Sequence, residues 1–311
     1  KVNDLDAAQI NTPDSLQSDP TIAALEKGLH VLVPKPTASK IKDAHEMIKA
    51  AKKYNLLMGI DFHKREDPRI KECSARYRSG RYGKFQTAVW YMLDKLLVAD
   101  PNHHPRFFTT ANFAETNSPI SFLTVHMADA FLNIIREIPV KIKARGFSQK
   151  LPSLKSISVN GYDLVDTEIE FAGGSVAHII TGWHLPNSAH SLTVQSSRII
   201  CTDGLIDLGI DSPGYCEIHE SGLTQINPLF KNFEPDGRVS GYGMRSPGNI
   251  LRNFLLKKEN RLSPEIEINM MESFELGFYT TVILEGAEES LSQGQKNSEG
   301  VTIGQEIDLK T

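Results

Sequence analysis

The segment Gly28–Ala38, which reads GLHVLVPKPTA, most constrains how this 311-residue chain can fold. Its run from His30 to Val33 has the composition of a strand that is covered on both faces, as in a parallel sheet flanked by helices. Pro34 and Pro36 fix the backbone on either side of Lys35, so the turn presents this ammonium group rigidly. Open α/β sheets bind ligands at the carboxyl ends of their strands. The segment therefore predicts a functional lysine at the ligand edge of a parallel sheet.

The first 62 residues alternate short apolar strands with helices. We predict strands at 7–10, 30–33 and 56–62 and helices at 19–27 and 40–54. This βαβαβ order is typical of the second half of a doubly wound, dinucleotide-binding domain. The Gly-rich turn that holds a pyrophosphate is not found in the sequence. We expect the first half of the domain to precede Lys1.

Residues 63–311 follow a different pattern. Short strands at close spacing, separated by Gly-Gly and Asp-Gly turns, indicate an open and mostly antiparallel sheet. Helices are predicted at 125–135 and 268–291, and the long loop 100–119 is a candidate substrate loop. The fold class is therefore α/β. A partial Rossmann-type sheet in residues 1–62 is followed by a domain with this open sheet in 63–311, whose C-terminal helix packs back.

Composition narrows the class of partner. A net charge of -4 argues against nucleic-acid binding and membrane-surface binding, because both need a basic face. Three widely spaced cysteines form neither a disulfide framework nor a zinc pattern. No apolar run approaches the roughly 18 residues of a transmembrane helix. We expect a cytoplasmic protein that acts on a small molecule and holds no metal.

Five segments carry short motifs, which in chain order are Asn11-Thr12-Pro13, Gly28–Ala38, Gly80–Phe85, Ser196–Gly204 and Ala287–Ser290. Together they resemble the Gfo/Idh/MocA family of nicotinamide-dependent sugar, inositol and related dehydrogenases. Gly28–Ala38 is similar to the family block GKHVLCEKPLA, which places Lys35 on the family's lysine. Asn11-Thr12-Pro13 resembles a Thr-Pro turn on the nicotinamide side of the cofactor. The resemblance follows the order of elements across essentially the whole chain.

The resemblance implies NAD or NADP as cofactor and hydride transfer at a secondary alcohol or carbonyl of a sugar, inositol or related polyol. The cofactor-binding residues that it implies are Asn11, Thr12, Pro13, Lys35 and Pro36. It also implies that Lys35 and His126 are catalytic. The family pairs its open sheets face to face, so a homodimer or homotetramer is expected.

Two departures from the family pattern remove acidic groups. Pro34 stands where the family has a glutamate, and Phe122 stands where it frequently has an aspartate four residues before the histidine. Lys35 and His126 are intact. Two functions stay open: an active dehydrogenase, and a catalytically silent member that binds nucleotide or sugar.

The chemistry needs a base for the hydroxyl proton and a donor that stabilises the developing alkoxide. Lys35 and His126 can share these roles, because a partly desolvated ammonium has a depressed pKa. A lone histidine on an apolar helix is otherwise a satisfied core residue. Asp129 lies three residues after His126 and either orients it or stabilises local structure.

Further substrate-binding candidates are Arg65, His103, His104, Arg106 and Trp183. Arg65 follows the carboxyl end of a predicted strand and either lines the cleft or is a surface charge. The two histidines and Arg106 share the long loop, which either binds substrate hydroxyl or carboxylate groups or is a solvated loop tip. Trp183 either packs in the core or covers a sugar ring. Adjacent histidines without a nearby carboxylate or cysteine do not form a metal site.

Overall fold

The computed structural model describes residues 4–110, 113–189, 191–210, 215–219, 222–226, 232–233, 239–241 and 243–309. The helices within these ranges are α1 (Ser18–Glu26), α2 (Ile41–Tyr54), α3 (Pro68–Arg78), α4 (Phe113–Thr116), α5 (Val125–Ile135), α6 (Ser246–Lys258) and α7 (Pro264–Ser292). A π-helical turn, Ile120–Thr124, leads directly into α5, and a 3₁₀ helix, His63–Glu66, precedes α3.

The first nine strands are β1 (Ala7–Gln9), β2 (His30–Pro34), β3 (Met58–Asp61), β4 (Phe85–Lys95), β5 (Pro139–Phe147), β6 (Leu164–Phe171), β7 (Val176–Leu185), β8 (Thr193–Cys201) and β9 (Gly204–Gly209). The remaining strands are β10 (Tyr215–His219), β11 (Gly222–Ile226), β12 (Asn232–Phe233), β13 (Val239–Ser240), β14 (Gln295–Lys296), β15 (Val301–Ile303) and β16 (Ile307–Asp308).

The three-stranded sheet has the order β1-β2-β3, with every pair parallel. β2 is buried along its first four residues, as the apolar run of the sequence predicts. α2 covers the sheet with Ala44, Met47 and Ala51, which recur at helical spacing and are almost completely buried. Asn55 ends this helix in the left-handed conformation, which Asn tolerates. The predicted parallel sheet is confirmed, with its carboxyl edge formed by the turns after the three strands.

The larger sheet has eleven strands in the order β11-β10-β9-β8-β4-β7-β6-β5-β15-β14, and β16 pairs with β5. β4 and β7 run parallel, and the other neighbours are antiparallel. The fold class predicted from the sequence is confirmed. β8 is continuous from Thr193 to Cys201, and the small side chain of Ser197 lies buried opposite Trp90.

α7 joins the two sheets. It contacts α2 and β3 in the first region, residues 1–62, and α5 and β5 in the second region, residues 63–311. It begins at Pro264, four residues before the predicted start, because the Ser263 side chain accepts a hydrogen bond from the Ile266 amide. Gly277 brings this helix close to the turn after β2. A Cβ atom at this position would lie 2.6 Å from Thr37 Oγ1, so only glycine permits the approach. The packing of α7 against Thr37 thereby fixes the turn after β2, which contains Lys35.

α5 forms the central layer between α7 and the larger sheet. Its apolar side chains are almost all buried, and Phe131 packs edge-on against Phe85 and Trp90. Among the described residues, no helix combines the length and the apolar character that crossing a bilayer requires.

Candidate active site

Lys35 lies in the turn after β2, and a cis peptide bond joins it to Pro36. Its Nζ atom is 5.2 Å from the centroid of the Phe122 ring, which belongs to the π-helical turn of the second region. Burial lowers the pKa of Lys35, while the carboxylate of Asp14 acts in the opposite direction. The amine is therefore held at the sheet edge with its charge only partly compensated.

Asp14 comes from the turn after β1, the strand next to β2. Burial raises the pKa of its carboxyl group, and the nearby charge of Lys35 lowers it. Asp14 is not among the site residues predicted from the sequence. The signal was present, because Asp14 and Lys35 each follow the carboxyl end of neighbouring parallel strands, where side chains converge. Asp14 provides an acidic neighbour for the lysine in a chain whose residue before Lys35 is proline.

Two histidines meet beside the lysine. The His63 ring, just after β3, packs edge-on against the His126 ring of α5, with the ring centroids 5.3 Å apart. Burial, followed by the charge of Lys64, lowers the pKa of His63 to about 4. Burial, followed by the charge of Lys35, holds the pKa of His126 well below its usual value. Both imidazoles are therefore neutral at neutral pH and can accept hydrogen bonds.

The lowered pKa of His63 predicts a loss of stability in acid. An unfolded histidine binds its proton below about pH 6.5, whereas folded His63 resists protonation until about pH 4. Stability is therefore complete above the unfolded pKa and falls by up to about 3 kcal/mol between these values. We expect urea unfolding of the His63→Gln variant to show a smaller loss over this range than wild type. An unchanged pH slope would contradict the assignment.

A buried polar layer lies behind the histidines. The Lys64 ammonium donates to Gln195 Oε1 of β8, and Thr193 Oγ1 donates to Asp94 Oδ1 of β4 at 2.6 Å. Burial raises the pKa of Asp94, and the charge of Lys64 partly offsets this. Lys64, Gln195 and Asp94 are each less than 5 % exposed. The layer anchors the 3₁₀ helix that carries His63 to the larger sheet.

Phe122 forms one wall of the site. Its ring packs against Trp183, Phe113 and Phe108 at centroid distances of 5.6, 5.2 and 5.6 Å. Trp183 is completely buried, so the structure places it in the core behind Phe122. The position that departs from the family pattern therefore supplies an aromatic surface for the Lys35 ammonium, which such rings attract. Direct contact of Trp183 with substrate remains an untested prediction.

Arg65 and Asp129 are brought together, on the α7 side of α5. Arg65 Nε lies 3.0 Å from both carboxylate oxygens of Asp129, and Arg65 Nη1 donates to the Ser273 carbonyl at 3.0 Å. The arginine also stacks on the Phe62 ring, 4.5 Å from its centroid. The pair joins the 3₁₀ helix, α5 and α7, and Asp129 is engaged with Arg65. Substrate contact by either residue stays a prediction.

The loop residues His103, His104 and Arg106 lie near one another at the protein surface. His103 Nδ1 is 2.9 Å from the Pro105 carbonyl oxygen, and Arg106 Nε donates to the Pro101 carbonyl at 3.0 Å. These contacts fold the loop on itself. Among the described residues, no contact joins the three side chains to Lys35 or His126, and substrate binding by this loop remains a prediction.

Three buried oxygen atoms without a hydrogen-bond partner among the described residues lie just after the strand ends. They are Gln17 Oε1 after β1, Thr37 Oγ1 after β2 and Asp61 Oδ1 at the end of β3. Asn11, Thr12 and Pro13 form the turn after β1, in which Thr12 Oγ1 donates to the Leu16 carbonyl at 3.1 Å. At this sheet edge, one cation and two neutral imidazoles fit the amide and ring of a nicotinamide.

A cavity of about 450 Å³ opens beside the lysine turn, with Asp14 and Pro36 in its wall. Ser118 and Glu288 face it from the second region, and the Ser118 hydroxyl donates to Glu288 Oε1. Burial raises the pKa of Glu288. Hydroxyl and carboxyl groups in a concave site of this size suit a small polyhydroxylated molecule. Within the described residues, no three His, Cys, Asp or Glu side chains are arranged to hold a metal ion.

Comparison with known proteins points to one family. Residues 1–62 match the model of the Gfo/Idh/MocA oxidoreductase family, described as an NAD-binding Rossmann fold. The chain is 33% identical over 81 residues to the 1,5-anhydro-D-fructose reductase of Ensifer adhaerens, covering 26% of this chain and 24% of the reductase. It is 26% identical over 190 residues to the D-glucoside 3-dehydrogenase of Escherichia coli K12, covering 58% of this chain and 52% of that enzyme. The matches thus span about a quarter and about half of these relatives.

Solved structures extend the likeness to the whole fold. A levoglucosan dehydrogenase in complex with NADH and levoglucosan superposes with a TM-score of 0.72 at 21% identity, over 97% of this chain and 80% of that one. An inositol dehydrogenase homologue from Azotobacter vinelandii, with NADH and myo-inositol, gives a TM-score of 0.73 at 14% identity, over 97% and 77% of the two chains. The predicted resemblance to the Gfo/Idh/MocA oxidoreductase family is thereby confirmed over residues 1–62 by the family model, and the solved structures show the same fold over nearly the whole chain.

Proposed function

We propose that this chain is an NAD(P)-dependent oxidoreductase that interconverts a secondary alcohol and a ketone in a sugar, inositol or related polyol. The observation that carries the proposal is the cluster of Lys35, His63 and His126 at the carboxyl edge of a parallel sheet. Open α/β sheets place their ligands at this edge. The relatives whose names refer to anhydrofructose, glucosides, levoglucosan and inositol support the substrate class.

The cofactor would be held at the nicotinamide end by Asn11, Thr12 and Pro13 and by the Lys35-Pro36 turn. Bound there, a nicotinamide supplies the acceptor or donor of the hydride. We assign NAD or NADP without choosing between them.

Proton transfer is assigned to Lys35. Burial lowers the pKa of its amine, so a larger fraction is neutral near physiological pH than for a surface lysine. In alcohol oxidation the neutral amine removes the hydroxyl proton, and in ketone reduction the ammonium returns it. His126 is neutral, because burial and then the charges of Lys35 and Lys64 lower its pKa, and it orients the hydroxyl by a hydrogen bond.

The proposal is tested by screening the purified full-length protein against a panel of polyols, glycosides and anhydrosugars with NAD and with NADP. We expect sustained cofactor reduction with at least one member of the panel, and its reversal with the corresponding ketone. Binding of cofactor or sugar without turnover on any member would instead support a catalytically silent protein. Absence of both binding and turnover would exclude either function.

The pH profile separates the role of Lys35 from a structural one. If the neutral amine is the base, alcohol oxidation rises with pH through the lowered pKa of Lys35, below its usual value of 10.5. Asp14 raises that pKa, so the Asp14→Asn variant should move the rise to lower pH. The measurement is kcat/KM against pH for both proteins. A profile that stays in place, or moves to higher pH, would contradict the coupling of Asp14 to Lys35.

A further inference from the structure

A second cavity lies apart from the lysine cluster, between α3, α6, α7 and the end of α5. Its volume is about 400 Å³, within the range of small-molecule sites. Part of the lining is polar, and apolar surface comes from Ile60, Phe62, Ile250, Ile266, Met270, Phe274 and Leu276. Lys35, His63 and His126 do not line it.

The cavity has an excess of positive charge. Its lining contains Arg65, Lys71, Arg78 and Arg136 but one carboxylate, that of Glu66. Lys71 Nζ lies 2.5 Å from Glu66 Oε2, and Arg65 is paired with Asp129 outside the lining. After these pairings, the positive charge that remains is concentrated at the end of the cavity where α3 and α5 terminate.

Two arginines meet at that end. Arg78 is the last residue of α3, and Arg136 is the left-handed residue that ends α5. Arg136 Nη1 is 2.5 Å from Glu272 Oε2 of α7. Within the described part of the chain, Arg78 forms no salt bridge; its Nε donates to the Ser74 carbonyl at 3.2 Å. The carboxylate of Glu272 thus pairs with Arg136 and also acts on the charge of Arg78.

Arg78 and Arg136 both line this cavity, and both residues are exposed to solvent there. The pKa of Arg78 is lowered first by burial and then by the charge of Arg136, and Glu272 acts in the opposite direction. An anion placed between the two groups would remove this repulsion and accept charge-assisted hydrogen bonds from both. The geometry therefore favours a phosphate or carboxylate group at this end.

The rest of the cavity suits hydroxyl groups. Asn133, Asn249, Asn253 and Asn269 line it, and each amide offers both donors and an acceptor. Asn249 Nδ2 already donates to Glu66 Oε2 at 2.8 Å, which fixes that amide beside the carboxylate. Side chains of this chemistry match several hydroxyls on one small molecule.

We propose that this cavity binds a small hydroxylated organic anion, a sugar phosphate or a sugar acid, whose anionic group lies between Arg78 and Arg136. The site is separate from the lysine cluster, and the proposal does not depend on the function proposed above.

Calorimetric titration of the full-length protein tests the proposal, with glucose 6-phosphate and gluconate as the two anionic probes. Glucose is the neutral control, and inorganic phosphate is the control for a site that accepts any anion. We expect saturable binding of at least one anionic probe, weakened by salt and tighter than that of glucose or phosphate. The tighter anionic probe identifies the source of the anion. Binding of neither probe, or of phosphate alone, would overturn the proposal.

Substitutions test whether the anionic probe binds at Arg78. Arg78→Gln removes an exposed arginine and leaves Glu272 paired with Arg136, so the fold is retained, and we expect about tenfold weaker binding. Arg261→Gln is the matched control, because Arg261 pairs with Glu259 on the surface and does not line the cavity. Binding unchanged in Arg78→Gln would overturn the proposal. Binding lost in a Lys35→Met variant would do the same, because it would place the anion at the lysine cluster.

Discussion

Replacing Lys35 by Met is expected to lower kcat/KM for polyol oxidation by about 10³-fold, within the range for loss of a general base that also stabilises charge. Methionine keeps an unbranched chain of similar length beside the Phe122 ring but has no proton to exchange. The loss should appear mainly in kcat, because the amine acts on the reacting oxygen. Stopped-flow measurement of a single turnover separates this step from product release.

The control for this experiment is Lys53→Met. Lys53 is an exposed residue of α2 whose ammonium lies over the Tyr54 ring, 4.8 Å from its centroid. The substitution is chemically identical and also removes a lysine from an aromatic face, so activity should stay at the wild-type level. Circular dichroism and the urea midpoint must match wild type in both variants. A Lys35→Met protein that folds and keeps more than about a tenth of the activity would refute the assignment.

The position of Lys35 was predictable because it depends on local sequence. An apolar strand and two flanking prolines determine where the chain turns, and the strand order determines which edge the turn occupies. Asp14 depends on contact between residues far apart in sequence. Its place beside Lys35 could be inferred once β1 and β2 were recognised as parallel neighbours, but its distance from the amine could not.

Side-chain direction in the turn after β3 could not be read from the sequence. His63, Lys64 and Arg65 are consecutive, and all three follow the carboxyl end of a strand. A 3₁₀ helix has about three residues per turn, so consecutive side chains point about 120° apart. His63 therefore meets His126, Lys64 enters the buried layer, and Arg65 reaches α7. Arg65 is therefore the residue of this turn that is predicted from the sequence to bind substrate, although His63 is the one that lies beside His126.

The helix containing His126 shows a similar limit. Phe122 precedes His126 by four residues, which would place both on one face of a regular α-helix. The π-helical turn Ile120–Thr124 adds a residue to the turn and changes that phase, an irregularity often found at functional sites. The sequence shows that position 122 has phenylalanine where the family frequently has an aspartate. The structure shows that the ring gained there covers Lys35 and packs against Trp183.

Breaking the buried ion pair between Arg65 and Asp129 should have the largest effect on stability. Their side chains are 12% and 1% exposed. Arg65→Leu leaves the Asp129 carboxylate without its cation, and we expect the free energy of unfolding to fall by about 3–5 kcal/mol near neutral pH. Urea unfolding measures the loss.

The pH dependence of this loss identifies its cause. Burial already raises the pKa of Asp129, and Arg65 opposes that rise, so removing Arg65 raises the pKa further. A folded group with a raised pKa binds protons more readily than the unfolded chain, so the variant recovers stability relative to wild type as the pH falls. The difference between the two proteins should be smaller at about pH 5 than at about pH 8. A constant difference would indicate lost packing instead of an uncompensated charge.

A double variant measures the coupling between Arg65 and Asp129. Arg65→Leu with Asp129→Leu removes both charges, and hydrophobic replacement of a whole buried pair is often neutral or stabilising. We therefore expect the double variant to be more stable than Arg65→Leu alone, which gives a favourable coupling energy in the mutant cycle. The matched surface pair Arg198 and Asp207, 60% and 40% exposed, should lose less than about 1 kcal/mol on Arg198→Leu. Equal losses at the two sites would show that burial does not set the strength of the Arg65–Asp129 interaction.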